Sequence, residues 1–192
     1  ANRLADQTAG RSMATEPAPR TITLIPAGAH AIPERFVALL SASFQAQGRT
    51  RVLRSDGIED IVGRGVDLSS HGATEALNAL ESDNDAVIYV ADPDLTPWSE
   101  KAIRQADLVL RVGAAETSTP QAVPLTDHER LAEKLLAPRA QRLVLTYERR
   151  RAPHGTRCWL ATRHIHMHHH VALSDRSDVD RLVRFITGKA LG

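Results

Sequence analysis

Four stretches of the sequence carry residue types whose spacing could do chemistry. Pro26-Ala27-Gly28-Ala29-His30 follows a β-branched run, the place where a nucleotide-binding sheet cradles phosphate. Backbone amides must approach the anion there, so such a loop wants several glycines and usually a lysine. This one offers Gly28 and no lysine, which fits neither G-x-G-x-x-G nor the P-loop pattern; the plainer reading is a tight turn. Asp92-Pro93-Asp94 ends an apolar run. A carboxylate there can hold magnesium in a nucleotide hydrolase. Asp before Pro also starts turns, and Asp94 precedes a helix, where anions are favoured. In His164-Ile165-His166-Met167-His168-His169-His170-Val171, a strand would align His164, His166, His168 and His170 on one face, and zinc, nickel or copper would suit those ligands, with His166, His168 and His170 the candidates. The tract brings no acid or cysteine to complete a site, so a solvated edge strand is the alternative. Finally, Arg149-Arg150-Arg151, with Arg139, Arg142, Arg157 and Arg163 nearby, could face anionic lipid, though a solvated hairpin loop is the better reading.

Nucleophilic catalysis finds little support. There is no G-x-S-x-G elbow. Ser69, Ser70 and His71 are neighbours in sequence, an arrangement that seldom forms a nucleophile–base pair. Cys158 lies between Arg157 and Trp159 in an expected strand, as a core residue.

The elements that must position these residues alternate regularly. Thr21–Pro26, Arg51–Leu53, Ala86–Ala91, Leu108–Gly113 and Arg142–Tyr147 read as strands. Helices are expected from Pro33 to about Gln47, from Gly72 to Ser82, from Pro97 to Gln105, from Thr126 or Asp127 through Leu131, Leu135 and Leu136, and from about Ser177 to Thr187. Single helices between strands imply a parallel sheet with right-handed crossovers. The expected fold is α/β, a three-layer Rossmann-like sandwich over 21–192, preceded by a linker at 1–20. In such a sheet ligands bind beyond the carboxyl ends of the strands, which makes Gly28, Asp92 and Asp94 the crevice candidates.

Composition narrows the function. A chain of 192 residues is one domain's length. A net charge of +1 provides no field to pull it onto nucleic acid, and aromatics at 4% leave few rings for bases to stack on. No apolar stretch reaches the ~18 residues of a spanning helix, and no secretory leader is evident. A single cysteine excludes an internal disulfide and fits a reducing, cytoplasmic compartment. No cofactor is called for.

Four segments together resemble a known family. They are Thr21–Pro26; Asp94-Leu95-Thr96-Pro97-Trp98 with Ile103-Arg104-Gln105-Ala106-Asp107; His168-His169-His170-Val171; and Asp180–Gly192, with its R-x-x-T-G-x-A-x-G pattern. In this order they resemble the region just upstream of the patatin-like catalytic domain in bacterial relatives of neuropathy target esterase. The run from Ala86 to Val112 also resembles the strand–helix–strand of MinD- and ParA-type ATPases, without their lysine-bearing loop, which implies a degenerate P-loop-like domain.

The resemblance implies a non-catalytic regulatory or scaffolding module. It would couple cyclic-nucleotide-binding-like domains upstream to a patatin-like esterase domain downstream, both in cis. The parent would hydrolyse membrane phospholipid and lie peripherally on the inner membrane. The competing expectations are a small nucleotide-binding domain using Asp92 and Asp94, and a metal-binding module using the histidine tract.

Overall fold

A computed structural model of the chain describes residues 16–115 and 121–189. Most of the expected linker lies outside them; its last residues, 16–20, run without helix or strand into the first strand.

Six strands form the sheet: β1 (Thr21–Pro26), β2 (Thr50–Leu53), β3 (Ala86–Val90), β4 (Leu108–Ala114), β5 (Gln141–Tyr147) and β6 (His168–Ala172). All are parallel, in the order β2-β3-β1-β4-β5-β6. The helices are α1 (Glu34–Gln45), α2 (Glu59–Val62), α3 (His71–Ser82), α4 (Pro97–Gln105), α5 (Asp127–Leu135), α6 (Thr156–Leu160) and α7 (Arg176–Thr187). This is the three-layer α/β sandwich that the alternation implies.

Period-two alternation assigns side chains to the layers. From β1, Ile22 and Leu24 enter the core under α1 and α7, with Phe36, Leu40, Val179, Leu182, Val183 and Ile186. The opposite face is covered by α3 to α6. There Leu77, Tyr89 and Trp98 pack together, as do Ile25, Ile103 and Ala132, and as do Leu143, Tyr147 and Trp159. Both faces of β1 are buried, so polar groups at its centre must be paired: the Thr23 hydroxyl donates to the Ala102 carbonyl, 2.7 Å away.

The conspicuous motifs turn out to be fasteners. Thr96 caps α4, and Pro97 fills its first turn, where no amide hydrogen is needed. The Trp98 indole donates to the Val90 carbonyl at 2.9 Å. Asp107 accepts the amides of Arg20 and Thr21 at 2.9 and 3.1 Å, pinning the start of β1. Gly188 takes a left-handed conformation (φ 69°) and ends α7, as a helix-stopping glycine should.

Four local expectations are corrected. Cys158 and Trp159 lie in α6, not a strand: Gly155 opens that short helix at φ 70°, and it lays Trp159 on the sheet. The histidine strand begins only at His168, leaving His164 and His166 before it. Pro33 stands before the helix in extended conformation, so α1 begins at Glu34. In α5 the cap at Thr126 turns His128, Glu129 and Ala132 inward and leaves Leu135 exposed, so its buried face is largely polar.

The seam between α1 and α7 gives a direct test. Leu182 is 1% exposed there. Leu182→Ala should cost about 3 kcal/mol in urea unfolding, as for other buried leucines. Arg184→Ala, on the exposed side of the same helix, should stay within about 0.5 kcal/mol.

Candidate functional site

The chain leaves β1 for α1 on one face of the sheet and leaves β3 for α4 on the other. Adjacent strands whose connections diverge open a crevice at their carboxyl ends. Pro26 and Pro93 line both of the hollows found there. One, of about 290 Å³, is lined by Glu34, Arg54, Ser55, Asp56 and Asp92 among others. The second, of about 250 Å³, is lined by Gly28, His30, Asp94, Asp127 and His128 among others. The structure therefore places Asp92 in the first hollow and Gly28 and Asp94 in the second, side by side at the carboxyl ends of the strands.

Their surroundings assign them structural work. Gly28 is left-handed (φ 75°), and a Cβ added to it would stand 2.7 Å from the Trp159 ring. A Cβ on Gly113 would stand 2.6 Å from the same ring. The two glycines are thus the seat of a buried tryptophan. Asp92 Oδ1 accepts from the Ser55 hydroxyl at 2.6 Å and its Oδ2 from the Thr96 hydroxyl at 2.5 Å, while its amide donates to Ser99 Oγ. It ties the turn after β2 to the start of α4. Asp94 is exposed; its carbonyl accepts from the Ser99 hydroxyl at 3.1 Å.

The field in the crevice opposes a polyphosphate. Among the described lining residues the permanent cation is Arg54, and it already pairs with Glu34 at 2.7 Å. Asp56, Asp92, Asp94 and Asp127 add negative charge. His128 is 2% exposed, and burial lowers its pKa, which favours the neutral ring.

The loop leading to α5 is held by a buried ionic cluster. Thr126 and Glu129 form a reciprocal capping box at the start of α5. The Glu129 carboxylate also accepts from Arg163 Nε at 2.7 Å and Nη2 at 2.8 Å, and it pairs with Arg111 at 3.5 Å. Arg163 donates further to the carbonyls of Val123, Pro124 and Trp159. Arg111 pairs with Glu133 at 3.2 Å and donates to Gln141, whose own amide caps the Ala132 and Leu136 carbonyls at the end of α5. Sequence reasoning missed this cluster and took Arg163 for part of a solvated basic stretch. The T-x-x-E spacing of Thr126 and Glu129 was the available signal.

The other candidates are placed as follows. Ser70 caps α3, Ser69 bonds Asp67, and His71 pairs with Glu75. Arg150 pairs with Asp175 and Asp178. His168 and His170 have ring centroids 5.4 Å apart, and His170 Nδ1 lies 3.1 Å from the Tyr147 hydroxyl. His166 does not complete a trio with them: among the described residues no three histidines, cysteines or carboxylates come together in metal-binding geometry. Nor, among the described residues, is any helix long and apolar enough to cross a membrane.

A parallel sheet with a crevice where a phosphate loop would lie, but with that loop seating a tryptophan, defines a P-loop-like domain. Residues 19–188 match the family described as the Neuropathy Target Esterase family P-loop like domain, and the chain belongs to that family. It is 32% identical over 162 residues to the Lysophospholipase NTE1 of Mycosarcoma maydis, covering 80% of this chain and 8% of that protein. It is 31% identical over 147 residues to the Neuropathy target esterase sws of Drosophila virilis, covering 62% of this chain and 10% of that protein. It is 28% identical over 155 residues to the Patatin-like phospholipase domain-containing protein 7 of Rattus norvegicus, covering 77% and 11%. The chain thus spans about a tenth of the length of these curated relatives.

Glu129 is the residue to challenge. Glu129→Gln preserves shape and an acceptor for the Thr126 amide but removes the anion between two buried guanidiniums. It should cost about 3–5 kcal/mol in denaturant unfolding, the usual loss when one member of a buried ion pair is removed. An unchanged midpoint would show that the arginines do not need this charge.

Proposed function

We propose that the chain is a non-catalytic regulatory or scaffolding module of a multidomain (lyso)phospholipase. It couples cyclic-nucleotide-binding-like domains upstream to a patatin-like catalytic domain downstream, in cis. The parent acts on membrane phospholipid from the cytoplasmic side, as a peripheral protein. The observation that carries this reading is the use to which the crevice is put: Gly28 seats Trp159, and Asp92 joins two loops. Residues that would serve phosphate or magnesium in an active P-loop protein serve the fold. Family membership supports the parent's activity, through the names its relatives carry.

A second observation supports coupling. Ala18, Pro19 and Arg20 line a hollow of about 300 Å³ together with Thr187 and Lys189. The chain enters and leaves the domain side by side, at the amino edge of the sheet. Segments on either side of such a module are brought close together, where they can feel its state.

Two measurements test the proposal. The chain alone should neither hydrolyse a nitrophenyl ester above the buffer rate nor bind ATP with magnesium in calorimetry. Micromolar ATP binding abolished by Asp92→Ala would establish a nucleotide-binding domain instead. In the full-length parent, residues 20–188 are replaced by a short Gly/Ser linker, which the adjacent ends permit. Basal turnover or the response to cyclic nucleotide should change about fivefold or more, the range of ordinary coupling energies. A parent unchanged in both would reduce the module to a passive spacer.

A further inference from the structure

A different part of the molecule holds buried polar atoms without partners. On β5 and β6, Val144 lies opposite His169, and Val144 and Val171 both enter the core beneath α7. Arg142, two residues before Val144, therefore shares that face and lies diagonally beside His169. Arg142 Nη1 and His169 Nε2 are both buried from solvent, and neither has a hydrogen-bond partner. Buried polar groups are nearly always paired, so two orphans on neighbouring strands call for an explanation.

The groups that act electrostatically on His169 are all basic. They are Arg142 from β5, His168 and His170 from its own strand, and Arg181 from α7. With burial, they lower its pKa to about 4. Arg181 bonds Asp178 at 2.8 Å, but Asp178 is also held by Arg150 and by the Ala172 amide, so Arg181 can turn without stranding it. Beside this group lie two exposed apolar side chains: Phe185, 49% exposed with its ring 6.0 Å from that of His169, and Met167, 44% exposed.

We propose that Arg142, His169 and Arg181 form a binding site for a phosphate-type oxyanion at the amino end of β5 and β6. The three basic side chains come from three separate elements, β5, β6 and α7. That suits a tetrahedral oxyanion better than a planar carboxylate, which is best met by the parallel fork of one guanidinium. The anion accepts from Arg142 and from the His169 ring nitrogen, and it supplies the negative charge that the cluster lacks. Free phosphate and a lipid head group share this chemistry. Phe185 and Met167 would lie along the apolar part of a lipid. The site is at the far end of the sheet from the crevice and does not depend on the coupling proposal.

The test uses the 192-residue chain, with inorganic phosphate and with phosphatidylcholine vesicles with or without phosphatidic acid. By NMR, phosphate should shift the His169 ring resonances saturably and raise the pH at which that ring titrates, since a bound anion favours imidazolium. Arg142→Met should weaken the response about tenfold or more, the loss expected for a hydrogen bond to a charged group. It should leave thermal stability unchanged or higher, because it removes an unpaired donor. If that variant fails to fold, Arg142 is already structurally satisfied and the proposal falls. Arg181→Met, altered at a half-exposed position, gives a second comparison and should also weaken the response. Co-sedimentation with phosphatidic acid vesicles that Phe185→Ser abolishes identifies a lipid source. A phosphate response without vesicle binding identifies a free anion. If His169 responds to neither phosphate nor vesicles, or if the Arg142→Met chain responds as the wild type does, there is no such site.

Discussion

The fold on the α3–α6 side depends on one carboxylate. Glu129 is fully buried, and two guanidiniums that are 1% and 0% exposed, those of Arg111 and Arg163, reach it from different elements. Charges so deeply buried persist only when paired and hydrogen-bonded. Glu129 meets that requirement while also capping the first turn of α5. Glu133 adds a second negative charge beside Arg111, so two guanidiniums face two carboxylates. Through Arg163 the same knot holds the Val123 and Pro124 carbonyls, and the Arg163 guanidinium lies 5.2 Å from the Trp159 ring. The position of α5, the path of residues 121–126 and the seating of Trp159 are therefore solved together.

Trp159 carries that constraint to the crevice. Its ring covers Gly28 and Gly113 so closely that neither position has room for a Cβ. In a phosphate loop, glycine lets backbone amides approach an anion. Here the glycine at the same point of the fold lets an indole approach the backbone. One residue type thus serves two ends, and the neighbour decides which. Asp92 is likewise in structural use: a carboxylate at the end of a buried strand is placed to hold a cation, yet its two oxygens accept from the Ser55 and Thr96 hydroxyls.

This explains what could be read from the sequence. The strands were legible because β-branched runs between turn residues leave little choice in a buried parallel sheet, and the α4 motif because Thr96-Pro97 is a local signal. Gly28, Asp92 and Asp94 fall beside two neighbouring hollows because topology alone puts loops after strands at one end of the sheet. Their roles were not legible, because they depend on Trp159 and Ser55, which are distant in sequence. The same holds for Arg163: next to a histidine tract it reads as surface charge, and only the fold delivers Glu129 to it. Cys158 and Trp159 read as strand because an apolar run of that length carries no period, whereas the left-handed Gly155 starts a helix.

The two edges of the sheet carry different chemistry, and the topology accounts for it. Each unit begins with a strand rising from the amino edge and ends with a helix returning to it. A chain built of whole units, from β1 to α7, must therefore start and finish at that edge, as Arg20 and Lys189 do around one hollow. The carboxyl edge receives the loops between units, and here those loops are committed to one another through Asp92, Trp159 and the capped start of α5. The amino edge, where residues 16–20 and Lys189 lie, holds Arg142 Nη1 and His169 Nε2, which have no hydrogen-bond partner. Buried polar atoms without partners therefore stand at both edges: His128 Nε2 beside the crevice, and Arg142 Nη1 and His169 Nε2 at the opposite end of the strands.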